Sequence, residues 1–303
     1  MQQEFDSPTG YHSFKLNTIM FYIYSQMEIH GTGKRDKDYL LFLDTLEQHN
    51  IKFKLLPKDI TEFKFTSEDF VFLNFGASNV DYLLEQKHIL ANTNVYPSIE
   101  TCEIYNKNAF DKFCINNNIS TPKTYHSIDD IKDKNYPLIF KPVSGSLSEH
   151  LKLCKNKLDI INQIDILNQD EDYLNKNYIL QEFIETGNPV VKYRTIFIND
   201  KICTYKKTSD NDSIFCSLKD NGKIDIINPD NKKINLISDK FIKLAKSKNI
   251  NFGALDILQD LKGNCFVIEL NGPTKLYRAS QAIQKNLYEI IIKYILTNKT
   301  IKL

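Results

Sequence analysis

Hydrophobic and polar positions run along this chain in two rhythms. From Thr18 to Tyr24 the run TIMFYIY is β-branched and aromatic, the mark of a buried strand. Asp36 to Asn50 carries Leu40, Leu43 and Leu46 at helical spacing, and IKFKLL (51–56) then alternates like a strand. DFVFLNF (69–75) reads as a second buried strand and Val80 to Ala91 as a helix. Strands alternating with helices predict a parallel sheet with both faces covered. A small α/β domain is therefore expected over residues 1–98, behind a loose leader at 1–15 that contains Ser7-Pro8-Thr9-Gly10.

The rhythm changes after that. A helix from Lys107 to Asn117, a linking helix near 127–134 and the strand YPLIFKP (136–142) lead to the turn SGSLSEH (144–150) and LKLC (151–154). A helix near 156–169 and the strand NYILQEFI (177–184) follow, which marks a central unit at 99–180. The remaining unit, 181–303, is antiparallel in pattern. VKYRTIFI (191–198) and KICTYKKT (201–208) flank Asn199-Asp200, a two-residue hairpin signal. A helix is expected at 239–249, then FGALDIL (252–258) and CFVIELN (265–271) joined through Asp260 to Asn264, and a terminal helix over 280–297. No internal repeat is visible. The class predicted is α/β (α+β): a parallel unit followed by two α+β units.

Composition narrows the functions more than the fold. A length of 303 residues suits two or three modules. Lys+Arg 39 against Asp+Glu 38 leaves a formal charge of +1, so no global field draws the chain to nucleic acid or a membrane surface. No apolar run approaches the ~20 residues that span a bilayer. The opening Met1 to Asp6 is polar and acidic, unlike a signal peptide, so a cytoplasmic protein is expected. Six cysteines form no CxxC pair and six histidines no HxxxH or HxH, which argues for reduced thiols and against a zinc site. His30-Gly31-Thr32-Gly33-Lys34 follows a strand but lacks the length and the Ser/Thr of a phosphate loop, and reads as a plain turn.

Candidate chemistry gathers on the hairpin at 252–271. Asp256 sits among apolar neighbours, and Glu269 and Asn271, two apart on one strand, face the same side. The tight turn brings Asp256 alongside them. Buried carboxylates need positive partners, and an oxygen-only Asp/Glu/Asn set is what Mg²⁺ prefers, completed by phosphate oxygens and water. Standing alone, the set reads more readily as a pair of carboxylates on a solvated hairpin face, or as one ion-paired with a lysine, than as a metal site. Lys107 and Lys141 lie on other elements, and Lys141 ends a strand just before a Gly/Ser turn where backbone N–H groups can receive phosphate.

The ordered set resembles the ATP-grasp superfamily, nearest to RimK-type and other amino-acid or peptide ligases. The resemblance runs from Tyr105 to Pro273: Asn106-Lys107; Asn118 to Thr124, like the family's G-I-x-x-P-x-T; Tyr136 to Pro142; Gly145-Ser146; Ile179 to Ile184; Tyr193-Arg194; Leu255 to Leu258; and Val267 to Asn271. It implies ATP sandwiched between two α+β subdomains, with Lys107 and Lys141 on phosphates alongside Gly145 and Ser146. Gln181, Glu182, Phe183 and Ile184 would form the adenine hinge. Asp256, Glu269 and Asn271 would hold two Mg²⁺ ions with Glu269 bridging, and Arg194 would steady the transferred phosphoryl group.

Three departures bear on the substrate. The loop after the Lys strand continues from Gly145 as Ser146-Leu147-Ser148-Glu149-His150 rather than with further glycines, and His150 reads as a solvated residue or a phosphate contact. Lys192 stands where the family often has a carboxylate two residues before the arginine, so ribose binding falls to another group, with Glu185 the candidate. An Arg-rich segment is replaced by SIFCSLKDNGK (213–223), leaving Lys206, Lys207 and Lys219 as substitutes. Lys275 and Arg278, in the turn after the acidic hairpin, are candidates to grip a substrate carboxylate. The function implied is ATP-dependent amide or peptide bond formation through an acyl-phosphate, on a small-molecule carboxylate and an amine, an amino acid or peptide among them. An ATP-grasp kinase, a non-catalytic nucleotide-binding module and a structural or partner-binding α/β protein are the alternatives. Homo-oligomers are frequent in the superfamily, and no interface is legible here.

Overall fold

The computed structural model describes residues 20–25, 37–57, 59–74, 80–143, 150–170, 177–209, 223–225, 231–272 and 276–299. The leader, the turn at 30–34, residues 144–149, Lys219 and Lys275 lie outside the described residues, as does the side chain of Arg278.

The early apolar runs pair edge to edge. β1 (Phe21–Ser25), β2 (Phe53–Leu55), β3 (Phe70–Asn74) and β4 (Asn94–Tyr96) form a sheet of order β2-β1-β3-β4 in which every pair is parallel. Parallel neighbours need crossovers, which α1 (Lys37–Gln48) and α2 (Val80–Glu85) supply. The helix expected over 80–91 stops short and a 3₁₀ turn takes over at Lys87–Leu90. Between them Gln86 is buried, and its side chain accepts the Ile60 N–H at 2.9 Å.

The central sheet contains β5 (Thr124–Tyr125), β6 (Leu138–Pro142), β7 (Lys152–Cys154) and β8 (Tyr178–Glu182), antiparallel in the order β5-β8-β6-β7. α5 (Lys157–Gln169) packs Ile160 and Leu167 onto Leu138, Phe140 and Leu180. The linking helix expected at 127–134 is instead two 3₁₀ turns, Ile128–Asp130 and Asp133–Asn135. Ser127 accepts the Asp129 N–H and Asn135 accepts the Lys132 N–H, local bonds that compete with a continuous helix. Gln181 and Glu182 are the last residues of β8 and so belong to the central sheet.

β9 (Val191–Ile198), β10 (Asp200–Thr208), β11 (Lys223–Asp225), β12 (Phe252–Gln259) and β13 (Cys265–Asn271) form an antiparallel sheet of order β11-β10-β9-β12-β13. Asn199, at φ 59°, turns β9 into β10, and Gly263, at φ 79°, helps turn β12 into β13. α6 (Lys232–Ser247) covers one face, setting Phe241 and Ala245 against Phe197, Leu255 and Ile257. It begins before the helix expected at 239–249 because the Asn231 side chain caps it, accepting N–H groups from Lys233 and Ile234. The terminal helix expected at 280–297 is two, α7 (Tyr277–Ile283) and α8 (Leu287–Lys299), parted at Gln284 with φ 52°. α8 and the N-terminal sheet cover part of the opposite face, where Ile196 and Phe252 meet Phe42, Phe72, Tyr288 and Ile291.

α3 (Ile99–Glu103) and α4 (Lys107–Asn116) lead from β4 into the central unit. The Val267 N–H donates to the Ser120 carbonyl at 2.9 Å, which fastens the segment after α4 to β13. This seam sets the N-terminus of α4 near β13 of the C-terminal sheet. Among the described residues no helix is long and apolar enough to cross a membrane.

Candidate active site

On one face of the C-terminal sheet a row of side chains crosses four strands. Tyr205 pairs with Arg194, Arg194 with Asp256, and Asp256 with Glu269. One step away along the strands, Lys207 pairs with Lys192; one step the other way, Ala254 pairs with Asn271. Residues two apart on a strand share a face, so all of these lie on one side of the sheet. A register shift between Asp256 and Ile257 keeps Glu269 and Asn271 in phase with Asp256.

Asp256 is 0% exposed and its oxygens are claimed by cations. Arg194 grips both, through Nε to Oδ1 and through Nη2 to Oδ2 at 2.7 Å, and Lys192 Nζ lies 2.7 Å from Oδ2. Burial alone would raise the Asp256 pKa; Arg194 and Lys192 outweigh it and hold the carboxyl well below the usual range. Burial likewise works to discharge Lys192, but Asp256 and Glu269 keep its pKa above the ordinary lysine value.

The facing wall comes from the central unit. Asn106 caps α4, its side chain accepting N–H groups from Asn108 and Ala109, and so fixes Lys107 in the first turn. A cation there opposes the helix dipole, a cost that a bound anion removes. Lys107 Nζ reaches the Val143 carbonyl at 3.4 Å; burial lowers its pKa and Glu269 pulls the other way. Lys141, on β6, donates to Gln181 Oε1 at 2.5 Å, Gln181 Nε2 to Thr124 Oγ1 at 3.3 Å, and Thr124 Oγ1 to Asp111 Oδ1 at 2.9 Å. Burial pulls Lys141 down to about 8; Glu269 and Asp256 resist the fall, while Lys107 and Lys192 add to it. Five cations, Lys107, Lys141, Lys192, Arg194 and Lys207, thus meet three carboxylates, Asp256 and Glu269 on the sheet and Asp111 behind Lys141. A site with this surplus of positive charge is complementary to a polyanion.

The structure brings together Lys107, Lys141, Arg194, Asp256, Glu269 and Asn271, as the sequence expects. It divides other expectations. Lys206 pairs with Tyr193, so alternation turns it to the opposite face from Arg194, and its neighbour Lys207, 3% exposed, is the one on the site's face. Gln181 spends its side chain on Lys141 and Thr124. The Glu182 N–H donates to the Lys123 carbonyl and the Phe183 N–H to that of Pro137, which leaves Ile184 as the hinge residue whose N–H no described residue accepts. His150, at the end of the loop after β6, has Nε2 2.7 Å from Asp170 Oδ2.

Sequence reasoning treated Lys192 only as a departure and did not see Asp111 or Thr124 as supports of the site. The signal for Lys192 was present, since it stands two residues from Arg194 on a strand. Asp111 and Thr124 are joined to Lys141 through space alone.

Among the described residues no three His, Cys, Asp or Glu side chains gather as a metal cage. The oxygen donors nonetheless suit magnesium. Asn271 Nδ2 donates to the Ala254 carbonyl at 3.2 Å and lies 3.4 Å from Glu269 Oε1, which fixes the amide and leaves Oδ1 as its acceptor beside the Glu269 carboxylate. Such a pair supplies part of a coordination shell, to be completed by phosphate oxygens and water.

The chain belongs to the RimK-like ATP-grasp family, whose model matches residues 103–295, more than half of the sequence. This is a family of ligases that use ATP and magnesium. The motif order from Tyr105 to Pro273 is thereby explained. No curated relative matches the sequence. Among solved structures, the RimK-domain ATP-grasp protein of Sphaerobacter thermophilus aligns with a TM-score of 0.62 at 11% identity, over 90% of this chain and 98% of that one. The ATP-grasp ligase PsnB, complexed with a phosphomimetic variant of its minimal precursor, Mg and ADP, aligns with a TM-score of 0.62 at 12% identity, over 91% and 97%. The D-alanine–D-alanine ligase of Bacillus anthracis complexed with ATP gives 0.57 at 16% identity, over 92% and 96%. These likenesses show the ATP-grasp fold.

Proposed function

We propose that this protein is an ATP-dependent carboxylate–amine ligase, which activates a carboxylate as an acyl-phosphate and joins it to an amine. The substrate class we assign is an amino acid or small peptide. The observation that carries the reading is the placement of Lys107 and Lys141 opposite a row that holds Arg194, Lys192 and Glu269 on one face. A triphosphate between those walls would meet cations from both.

A carboxylate is a poor electrophile because its charge repels nucleophiles and it has no leaving group. Transfer of the γ-phosphoryl group to a carboxylate oxygen gives the acyl-phosphate and ADP; the amine then attacks the acyl carbon, and phosphate departs with the C–O electron pair. Lys107 and Lys141 bind the phosphates from the central unit. Arg194, clamped by Asp256, presents a fixed guanidinium to the transferring group, so little reorganisation is needed when charge develops. Glu269 and Asn271 would hold magnesium, which supplies further neutralisation of the phosphate oxygens. Gln181 to Ile184 would form the adenine hinge, the Ile184 N–H being the donor left for the base. The loop carrying Gly145 and Ser146 would cover the phosphates, with Lys219, Lys275 and Arg278 as further candidates on the substrate side.

The domain limits we assign follow the expected 1–98, 99–180 and 181–303, with the last junction moved past Glu182 so that β8 stays whole in the central sheet. Two of the similar structures bear on the substrate, PsnB with a precursor peptide and the D-alanine–D-alanine ligase. A screen of ADP and phosphate release over amino acids and dipeptides tests the reading, with Glu269→Gln as control. Release that needs both an acid and an amine, and is lost in Glu269→Gln, is the expected result. Release without an amine would identify a kinase, and Glu269→Gln turnover at the wild-type rate would overturn the site.

A further inference from the structure

Asp256 is a carboxylate with more cation than it needs. Arg194 alone meets both of its oxygens, a bidentate pair that neutralises it, yet Lys192 places a second full charge 2.7 Å from Oδ2. Lys207, paired in register with Lys192, puts a third cation on the same face of the sheet. An ionised carboxylate has about four acceptor sites, and three N–H groups already occupy this one. Magnesium wants a near-octahedral shell at ~2.0–2.1 Å and keeps several of its waters. A carboxylate sealed from solvent between a guanidinium and an ammonium keeps about one acceptor site, flanked by cations that repel a further one, and has no room for the metal's waters. Glu269 and Asn271, half-exposed at the neighbouring strand, offer acceptors and space.

We propose that Lys192 stands in for one of two magnesium ions, so that the nucleotide is bound with a single ion held by Glu269 and Asn271. The ammonium is a compact point charge on a flexible stem, suited to this exchange. Anchored on Asp256, it delivers to the phosphates the positive charge that a second ion on that carboxylate would bring. Asp256 then acts as a positioning residue for Lys192 and Arg194. The inference rests on the ligase reading only in that it requires nucleotide to bind.

The test counts ions. Wild-type full-length protein is titrated with Mn²⁺ in the presence of a non-hydrolysable ATP analogue, bound manganese being read by electron paramagnetic resonance and nucleotide by calorimetry. One bound ion per chain is expected for the wild type and for Lys192→Arg, and two for Lys192→Met, in which Asp256 regains acceptor sites but keeps Arg194. Without metal, Lys192→Met should bind the analogue roughly ten- to a hundredfold more weakly, the loss of one charged contact. Two ions on the wild type, or one on Lys192→Met, would overturn the inference and leave the ligase reading standing. A wild type that takes up no nucleotide would overturn both.

Discussion

Replacing Asp256 by Asn separates its two roles by the sign of a stability change. As a metal ligand in a cluster of carboxylates, Asp256 would be a source of repulsion in the metal-free protein, and Asp256→Asn would leave stability unchanged or raise it. In this structure it is fully buried and tied to two cations whose side chains are only 17% and 15% exposed. The variant keeps one acceptor oxygen and turns the other into an amide donor facing an ammonium and a guanidinium. Removing one partner of a buried ion pair costs about 3–5 kcal/mol, because the remaining charge is left desolvated and unmatched. Lys192→Met should cost much less, since the Arg194–Asp256 pair survives. At roughly 2–4 °C per kcal/mol for a chain of this order, Asp256→Asn should melt about 6–20 °C below wild type. The assay is thermal unfolding in EDTA without nucleotide. The pH dependence gives a second check. A carboxyl depressed in the fold stabilises above its unfolded pKa near ~3.9, and that stability is lost as pH falls through the lower folded value. The acid limb of wild type, measured against Asp256→Asn, should therefore show the gap closing as pH falls below ~4. An Asp256→Asn melting point equal to or above wild type in EDTA would refute the reasoning.

Four further outcomes are expected. Glu269→Gln should lose ~10²–10³-fold or more in turnover with a melting point within a degree or so of wild type, because Glu269 is only half-buried and its charge is required by ligands rather than by the fold. Lys141 has its folded pKa, about 8, below the unfolded value near ~10.4, so the unfolded chain binds more protons between them; metal-free wild type should gain stability relative to Lys141→Met as pH rises through that window, as chemical denaturation would show. Gly253→Ala places a Cβ 2.3 Å from Leu270 Cδ1 and 2.8 Å from Phe197 Cε1 in the core under α6; overpacking of this kind costs about 1–3 kcal/mol, read from denaturant midpoints. Asn106→Ala removes the cap of α4, costing about 1 kcal/mol, and should raise KM for ATP by loosening Lys107 while kcat changes less.

The places where the sequence misleads are informative. The helix expected at 127–134 and the single helix at 280–297 both fail where a side chain or one left-handed residue redirects the backbone, at Ser127, Asn135 and Gln284. Periodicity averages over a window and does not register such single-residue events. Lys206 and Lys207 are inseparable in the sequence for a related reason: adjacent strand residues point to opposite faces, and only the register with β9 tells which of them shares a side with Arg194.

What the sequence by itself determined is whatever depends on local period and order. The strands at 191–198, 201–208, 252–258 and 265–271, the shared face of Glu269 and Asn271, and the run of motifs from Lys107 to Asn271 could all be read along the chain. The tertiary structure decided which groups spend their charge on one another. That Asp256 is claimed by Arg194 and Lys192, and that Lys141 is held through Gln181 and Thr124 by Asp111, follows from register across strands and from burial. Residues sixty positions apart meet at hydrogen-bond distance only once the sheet has formed, as with the separation of 62 between Arg194 and Asp256. Those neighbours are what the proposed role of Asp256 as an anchor for cations rests on, since desolvation makes each buried charge answer to the nearest opposite one.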